Sequence, residues 1–260
     1  MIDDQIAFQR KFYDQHFAKR AAAVEEQLEH PLLRSFNDRV AAHIYDLGPA
    51  AQAVRVLEVG CGDGLLAASL RLVAEARGVE LTYTGLDLSE ASMDLARPHV
   101  VGELLAGDAT ELLRAMAGGS HDIVVAKNLL HHLDDPAAFL REAGRVVGPR
   151  GRVVIFEPNL TCPQFLLFNV LAPRRERYYF RGRRRNVRAL ADAGLRTVSM
   201  EPFGWLPYEL AFVIRYPVFR RLFSTGRAAT LARATRADQR LTRSVPFLAS
   251  YCVWSAAPSS

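Results

Sequence analysis

Residues 54–66 read VRVLEVGCGDGLL, and the reading of this stretch decides the fold. A β-branched, apolar run passes through Glu58, and a turn follows with glycines at 60, 62 and 64. The apolar residues behind the turn suit the first turn of a helix. Glycine adopts backbone conformations closed to other residues and lets a ligand approach the main chain, while a helix N-terminus adds unpaired N–H groups. Strand, glycine turn and helix start together predict a pocket for a nucleotide-like ligand. The spacing is not that of a dinucleotide turn, which needs a third glycine three residues after the second; Leu65 stands there.

Downstream, the alternation of strand and helix continues. Leu66 to Arg77 extends the helix and Gly78 ends it. Residues 80–86 (ELTYTGL) predict a second strand, with Asp87 at its end. Asp87 lies about twenty residues beyond the glycine turn, where nucleotide-binding α/β folds carry an acidic residue. One carboxylate can accept from both hydroxyls of a ribose; its competing role is a helix cap, shared with Ser89 and Ser92. Residues 102–106 (GELLA) read as a third strand, and Asp108 can cap the helix starting near Thr110. Residues 121–126 (HDIVVA) are nearly all apolar, as a buried parallel strand should be. The loop 127–136 (KNLLHHLDDP) follows, then a helix over Pro136–Val147 and a fifth strand over Arg152–Phe156, closing at Glu157. Ligands bind beyond the carboxyl ends of such strands, so the loop with His131 and His132 is expected to line a pocket.

The string LEVGCGDG … GLDLS … GDA … DIVVAKNLLHHLDDP … FLREAGRVVGPRGRVVIFEPN resembles the class I S-adenosylmethionine (SAM) methyltransferases. More narrowly, it is similar to their small-molecule branch, which includes ubiquinone-biosynthesis and natural-product O-methyltransferases. Five motifs in order carry the resemblance over residues 54–159; outside that window it is loose. It implies an α/β fold: a Rossmann-like, seven-stranded, mostly parallel sheet with helices on both faces and an antiparallel last strand. The expected organisation is an N-terminal helical cap (1–50), a SAM-binding core (51–203) with an Arg-rich insertion (160–185), a helical lid (204–245) and the final strand with its tail (246–260). SAM is the implied cofactor and S-adenosylhomocysteine its product. Glu58, Gly60, Cys61, Gly62, Gly64, Asp87, Leu88, Asp108, Ala109 and Asn128 are the implied cofactor contacts, with Asp108 at the adenine amino group. Tyr13, His131, Glu157, Arg181, Trp205 and Tyr208 are the expected acceptor contacts.

Bound SAM presents an already activated methyl group, so the protein need supply little beyond orientation and desolvation. A hydroxyl acceptor gains from a general base, and His131 or His132 is the candidate, since imidazole titrates near working pH; only one of the two can face the pocket. The substrate is narrowed by what is missing. There is no Asn/Asp-Pro-Pro-Tyr after strand four, no Pro-Cys nucleophile and no carboxylate trio for a magnesium-dependent catechol enzyme. A small hydrophobic or lipid-like acceptor methylated at oxygen is the leading expectation. Transfer to carbon or nitrogen, or a SAM-binding regulatory protein without turnover, are the alternatives.

The flanks are less regular. Residues 1–30 are expected to be helical, with Phe12, Tyr13 and Val24 near one face, and a second helix runs from His30-Pro31 to Leu47 before Gly48-Pro49. A helix over Asn186–Ala193, a sixth strand over Thr197–Pro202 and a last strand over Ala249–Ala256 complete the fold. About forty residues separate those two strands, and connections that long usually carry structure or function of their own; the lid at 204–245 is read near the site, with a dimer contact or a decorative insertion as the alternatives. The Arg174–Arg188 cluster suits an anionic substrate, an anionic membrane surface or plain solvation.

Half the residues are apolar and 23% are charged, as in a folded globular chain, and the net charge is +5. That balance does not require nucleic acid, and no known RNA-binding module is visible. Cys61, Cys162 and Cys252 are scattered without metal-ligand spacing, which predicts reduced thiols and no metal site. The charged N-terminal stretch lacks a signal-peptide core, and no apolar run reaches the ~18 residues of a membrane span, so a cytoplasmic enzyme is expected.

Overall fold

The computed structural model describes residues 2–17, 24–25, 28–29, 31–162, 182–205 and 228–259. Within them seven strands form one sheet: β1 (Ala53–Val59), β2 (Glu80–Asp87), β3 (Glu103–Ala106), β4 (Ile123–Lys127), β5 (Arg152–Pro158), β6 (Leu195–Trp205) and β7 (Ala249–Pro258). Their order is β3-β2-β1-β4-β5-β7-β6. The first five pair in parallel, and β7 runs antiparallel to both β5 and β6. The helices of the described residues are α1 (Ile2–Phe17), α2 (Pro31–Leu47), α3 (Leu65–Arg77), α4 (Glu90–Ala96), α5 (Ala109–Ala115), α6 (Pro136–Val147), α7 (Arg183–Asp192) and α8 (Ala228–Ser244). This is the mostly parallel, seven-stranded α/β sheet expected from the sequence, with its antiparallel pair at one edge.

Successive strand residues point to opposite faces, and both faces here are covered. Leu57, Val59, Val124, Ala126, Val153 and Ile155 meet Phe139, Leu140 and Ala143 of α6 and Leu190 of α7 on one side. Val54, Val56, Ile123, Val125, Val154 and Phe156 meet Val40 and Ile44 of α2 and Leu66 and Leu70 of α3 on the other. That double burial is why the central strands read as unbroken apolar runs. Chain order reverses between β1, whose successor β2 lies on one side, and β4, which pairs on the other. A crevice opens at such a switch point, beyond the carboxyl ends of the strands.

Helix ends follow local chemistry. Gly78 takes a left-handed φ of 66° and its N–H caps the carbonyls of Ala74 and Glu75, ending α3. Ser89, Asp108 and Asp135 each accept a backbone N–H at the start of α4, α5 and α6, and Pro136 occupies the first turn of α6.

Several boundaries differ from expectation. β6 runs through Pro202 rather than ending there, because it is an edge strand that pairs only with β7, where a missing N–H is tolerated. Residues 204–205 therefore belong to β6 and not to a lid. A register shift between Thr197 and Ser199 leaves Val198 outside the ladder. α7 begins at Arg183, behind Gly182, three residues earlier than the sequence suggested. Of the expected lid, α8 is helical and packs on β6; 206–227, with Tyr208, lie outside the described residues, as do Arg181, most of the 160–185 insertion and the side chain of Trp205.

Candidate active site

The glycine turn leaves β1 at the crevice. Gly60, Gly62 and Gly64 have φ of 74°, 55° and 75°, the left-handed region that favours glycine. The N–H groups of Gly60 and Cys61 both donate to the carbonyl of Leu86, at 2.8 and 2.9 Å, tying the turn to the end of β2. A Cβ on Gly64 would lie 2.6 Å from Val100 Cγ2, so both the backbone angle and the packing there require glycine. Asp87 closes the arrangement: its Oδ2 accepts from Gly62 N at 2.8 Å and its Oδ1 from Ser89 N at 2.9 Å. Each oxygen retains acceptor capacity for a ligand hydroxyl. Burial pushes the Asp87 carboxyl upward, and the two N–H groups pull it back. Leu88 is half-buried beside it.

Glu58 shares a sheet face with Val54 and Val56 and is buried beneath this turn. Its Oε2 accepts from the Tyr83 hydroxyl at 2.8 Å. Burial drives its pKa up to about 8, offset in part by that bond and by the charge of Lys127. A buried carboxyl in this position favours a cationic ligand group that would restore its ionised form. Asp108 uses Oδ1 to cap α5, accepting from Thr110 N at 2.9 Å and Glu111 N at 3.0 Å, with Ala109 half-buried next to it.

The loop after β4 forms the opposite wall. Asn128 is the one non-glycine residue with positive φ among the described residues, at 57°. Asparagine tolerates that conformation better than most side chains. Its Nδ2 donates to the Tyr251 hydroxyl of β7 at 3.3 Å, and its Oδ1 is buried with no hydrogen-bond partner among the described residues. Glu157, expected to contact the acceptor, is turned into the loop instead and is 1% exposed. Its Oε1 accepts from Leu129 N and Leu130 N at 3.0 and 2.8 Å, and its Oε2 lies 2.6 Å from His131 Nδ1. A buried carboxylate needs such donors, and here they fix a short 3₁₀ turn, Leu130–His132, with His131 held by its ring.

His132 is placed differently. Burial, with a contribution from His131, lowers its pKa to about 3, so the ring stays neutral. The Tyr13 hydroxyl lies 3.0 Å from its Nε2, and Gln9 Nε2 donates to its carbonyl at 2.9 Å. The residue of α1 next to Tyr13, Asp14, accepts from the Ser89 hydroxyl at 2.5 Å. α1 therefore spans the crevice from the end of β2 to the loop after β4. The two walls also approach each other directly, since a Cβ on Gly60 would meet Leu129 Cδ1 at 3.2 Å.

The sequence reading missed Tyr83, Gln9, Asp14 and Tyr251. Tyr83 was detectable in principle: it is the residue of β2 paired with Val56 and lies within reach of Glu58, two places along β1. The others depend on contacts 75 to 123 residues apart in the chain, for which no local signal exists.

Residues 57–155 match the family described as a methyltransferase domain. The sheet order, the glycine turn and the carboxylate behind it agree with that match, which covers 99 of the 260 residues. Among curated proteins, the chain is 32% identical over 168 residues to the ubiquinone biosynthesis O-methyltransferase of Azorhizobium caulinodans. That alignment covers 64% of this chain and 64% of the relative, so the chain spans just under two thirds of its length. Among solved structures, a chain of the complex between the Haloferax volcanii Trm112 methyltransferase activator and a methyltransferase superposes with a TM-score of 0.61. It is 19% identical and covers 95% of this chain and 98% of that one. Geranyl diphosphate C-methyltransferase from Streptomyces coelicolor gives a TM-score of 0.56 at 18% identity, covering 86% and 80%. These structures establish the fold alone. No helix among the described residues is long and apolar enough to cross a membrane.

Proposed function

We propose that this protein transfers a methyl group from SAM to a hydroxyl oxygen of a small, hydrophobic or lipid-like acceptor. The observation that carries the reading is the pair His131–Glu157, 2.6 Å apart, on the wall facing the glycine turn and Asp87. The crevice suits the cofactor: Asp87 offers two acceptor oxygens for ribose hydroxyls, the left-handed glycines expose main chain, and buried Glu58 favours a cation. Asn128 Oδ1, just past the end of β4, adds an acceptor with no partner among the described residues. SAM supplies a methyl group on a sulfonium, which leaves as a thioether when an acceptor displaces it.

The side chains then have distinct work. His131 donates Nδ1–H to Glu157, which puts the ring's lone pair on Nε2, the atom that takes the acceptor's hydroxyl proton. Glu157 orients the ring and stabilises the imidazolium without itself taking the proton. His132, neutral and half-buried, is a poor base and joins α1 to the loop through Tyr13. Of the two histidines the geometry thus favours His131 as the base. Oxygen as the receiving atom is supported by the relatives named for O-methylation and by this base.

The test is transfer of labelled methyl from SAM to quinone-precursor, lipid and phenolic pools, with the product identified by mass. Incorporation at oxygen is the expected result. Tight SAM binding with no transfer to any pool would indicate a SAM-binding protein without turnover, and incorporation at carbon or nitrogen would replace the acceptor assignment alone.

A further inference from the structure

Helix α8 has no part in the chemistry above, and its two faces are sharply unlike. Arg236, Arg240 and Arg243 recur at intervals of four and three, so they share one stripe. The side chains of Arg236, Arg240 and Arg243 are exposed. The only acidic residue of the helix, Asp238, points the other way, buried and paired with Arg39 of α2. Thr242, one turn further, is buried as well. Over residues 236–244, α8 therefore packs through Asp238 and Thr242, and every charge it presents outward is positive.

Directly after α8, the short turn Pro246–Leu248 carries Phe247, which is 55% exposed. An aromatic ring left in water forfeits transfer free energy that a contact surface would recover. Its position is informative. β7 runs antiparallel, so its first residues lie at the carboxyl end of β5, with Tyr251 opposite Pro158. Asn159 Nδ2 donates to the carbonyl of Ala249 at 2.9 Å and of Pro246 at 3.4 Å, fixing the turn there. Phe247 thus sits on the same edge of the sheet as the glycine turn, Asp87 and His131.

We infer that the outward face of α8 and the turn bearing Phe247 form a docking surface for an anionic lipid bilayer. Arginines engage phosphate headgroups in bidentate fashion, and the ring enters the boundary with the acyl chains. A nucleic acid duplex would use the arginines but leave the ring in water; a bilayer satisfies both. The surface rests on the reading of a lipid-like acceptor only for its purpose, which is to bring the crevice to the layer where such an acceptor dissolves.

The experiment is co-sedimentation of the full chain with phosphatidylcholine vesicles, with and without phosphatidylglycerol, in the absence of cofactor. Binding to the anionic vesicles that weakens with salt is expected, with little binding to phosphatidylcholine alone. The triple variant Arg236→Ala/Arg240→Ala/Arg243→Ala should reduce partitioning on the order of 100-fold, and Phe247→Ser about tenfold without changing the salt dependence. A charge-matched control, Arg114→Ala/Arg141→Ala/Arg150→Ala, should stay within about twofold, since α5, α6 and the turn before β5 lie away from α8. Unchanged SAM affinity and melting temperature verify that the variants fold. Equal losses in both triples would reduce the effect to net charge and overturn the proposal. No effect of Phe247→Ser, or tighter retention by an RNA oligonucleotide than by vesicles, would overturn it too. Vesicle binding is read without turnover, so failure of the methyl-transfer reading and failure of this one remain distinguishable.

Discussion

The two walls of the crevice are built by different means. The wall over β1 and β2 is held by main chain: left-handed glycines, N–H groups donated to Leu86, and one carboxylate accepting two more N–H groups. The wall over β4 and β5 is held by side chains: Glu157 grips the loop and His131, Tyr251 reaches Asn128, and α1 reaches across to His132. The first kind of wall presents a fixed shape that tolerates few substitutions. The second can change its residues while keeping its frame, which is what a site must do if related folds are to accept different methyl acceptors.

The contrast is sharpest for Asp87. Asp87→Ala should remove two charge-assisted contacts to a ribose, each worth roughly 1.5 to 3 kcal/mol, and also loosen the turn. SAM affinity measured calorimetrically should fall at least about 100-fold; wild-type affinity in the variant would remove the ribose assignment. On the other wall, His131→Ala should leave SAM affinity near wild type and lower kcat by about 10²- to 10⁴-fold. Glu157→Gln should follow it more weakly and shift the pH–rate profile, because it alters the partner of Nδ1 rather than the base. Full activity of His131→Ala between pH 6 and 9 would end the base proposal.

A third comparison sets one desolvated titratable group from each wall against the other. The folded pKa of Glu58 is raised, so its contribution to stability is present at low pH and is lost as pH rises from about 4.5 to about 8. That of His132 is lowered, so its contribution is present above pH 6.5 and is lost as pH falls toward about 3. Between pH 4.5 and 6.5 the two slopes oppose each other, each roughly 1.4 kcal/mol per pH unit. Glu58→Gln should therefore make stability rise with pH across this window, and His132→Phe should make it fall; denaturant titrations at several pH values read both slopes. The smallest effect expected is Tyr13→Phe, which removes one hydrogen bond between α1 and the loop and should cost about 1 kcal/mol of local stability. Hydrogen exchange in α1 is the sensitive measure, with the sheet unchanged.

The same division explains what could be read from the sequence. The wall over β1 and β2 was legible because its determinants are local: a glycine spacing, an acidic residue at a strand end, Ser89 and Asp108 at helix starts. So was the succession of strands and helices, from apolar runs at regular intervals, whereas the antiparallel edge was implied by the family resemblance alone. Glu157 was expected at the acceptor, and nothing in its flanking residues shows that its carboxylate turns back to the loop after β4. The choice between His131 and His132 was likewise open, because only tertiary packing decides which ring meets a carboxylate and which is desolvated. Pro202 misled the placement of β6, since whether proline ends a strand depends on which edge is unpaired.

Strand β7 carries a consequence for biosynthesis. It lies between β5 and β6, yet it is synthesised after both. At ordinary translation rates of about 5 to 20 residues per second, β6 and the arginine-rich α7 beside it leave the ribosome several seconds before a partner strand exists for them. β1 to β5 can pair as they emerge, whereas β6 must wait with an unpaired edge. Its register shift at Val198 and its proline at 202 make it a poor template for other strands during that interval. The features that look like irregularities in the finished sheet thus serve as safeguards for the nascent chain.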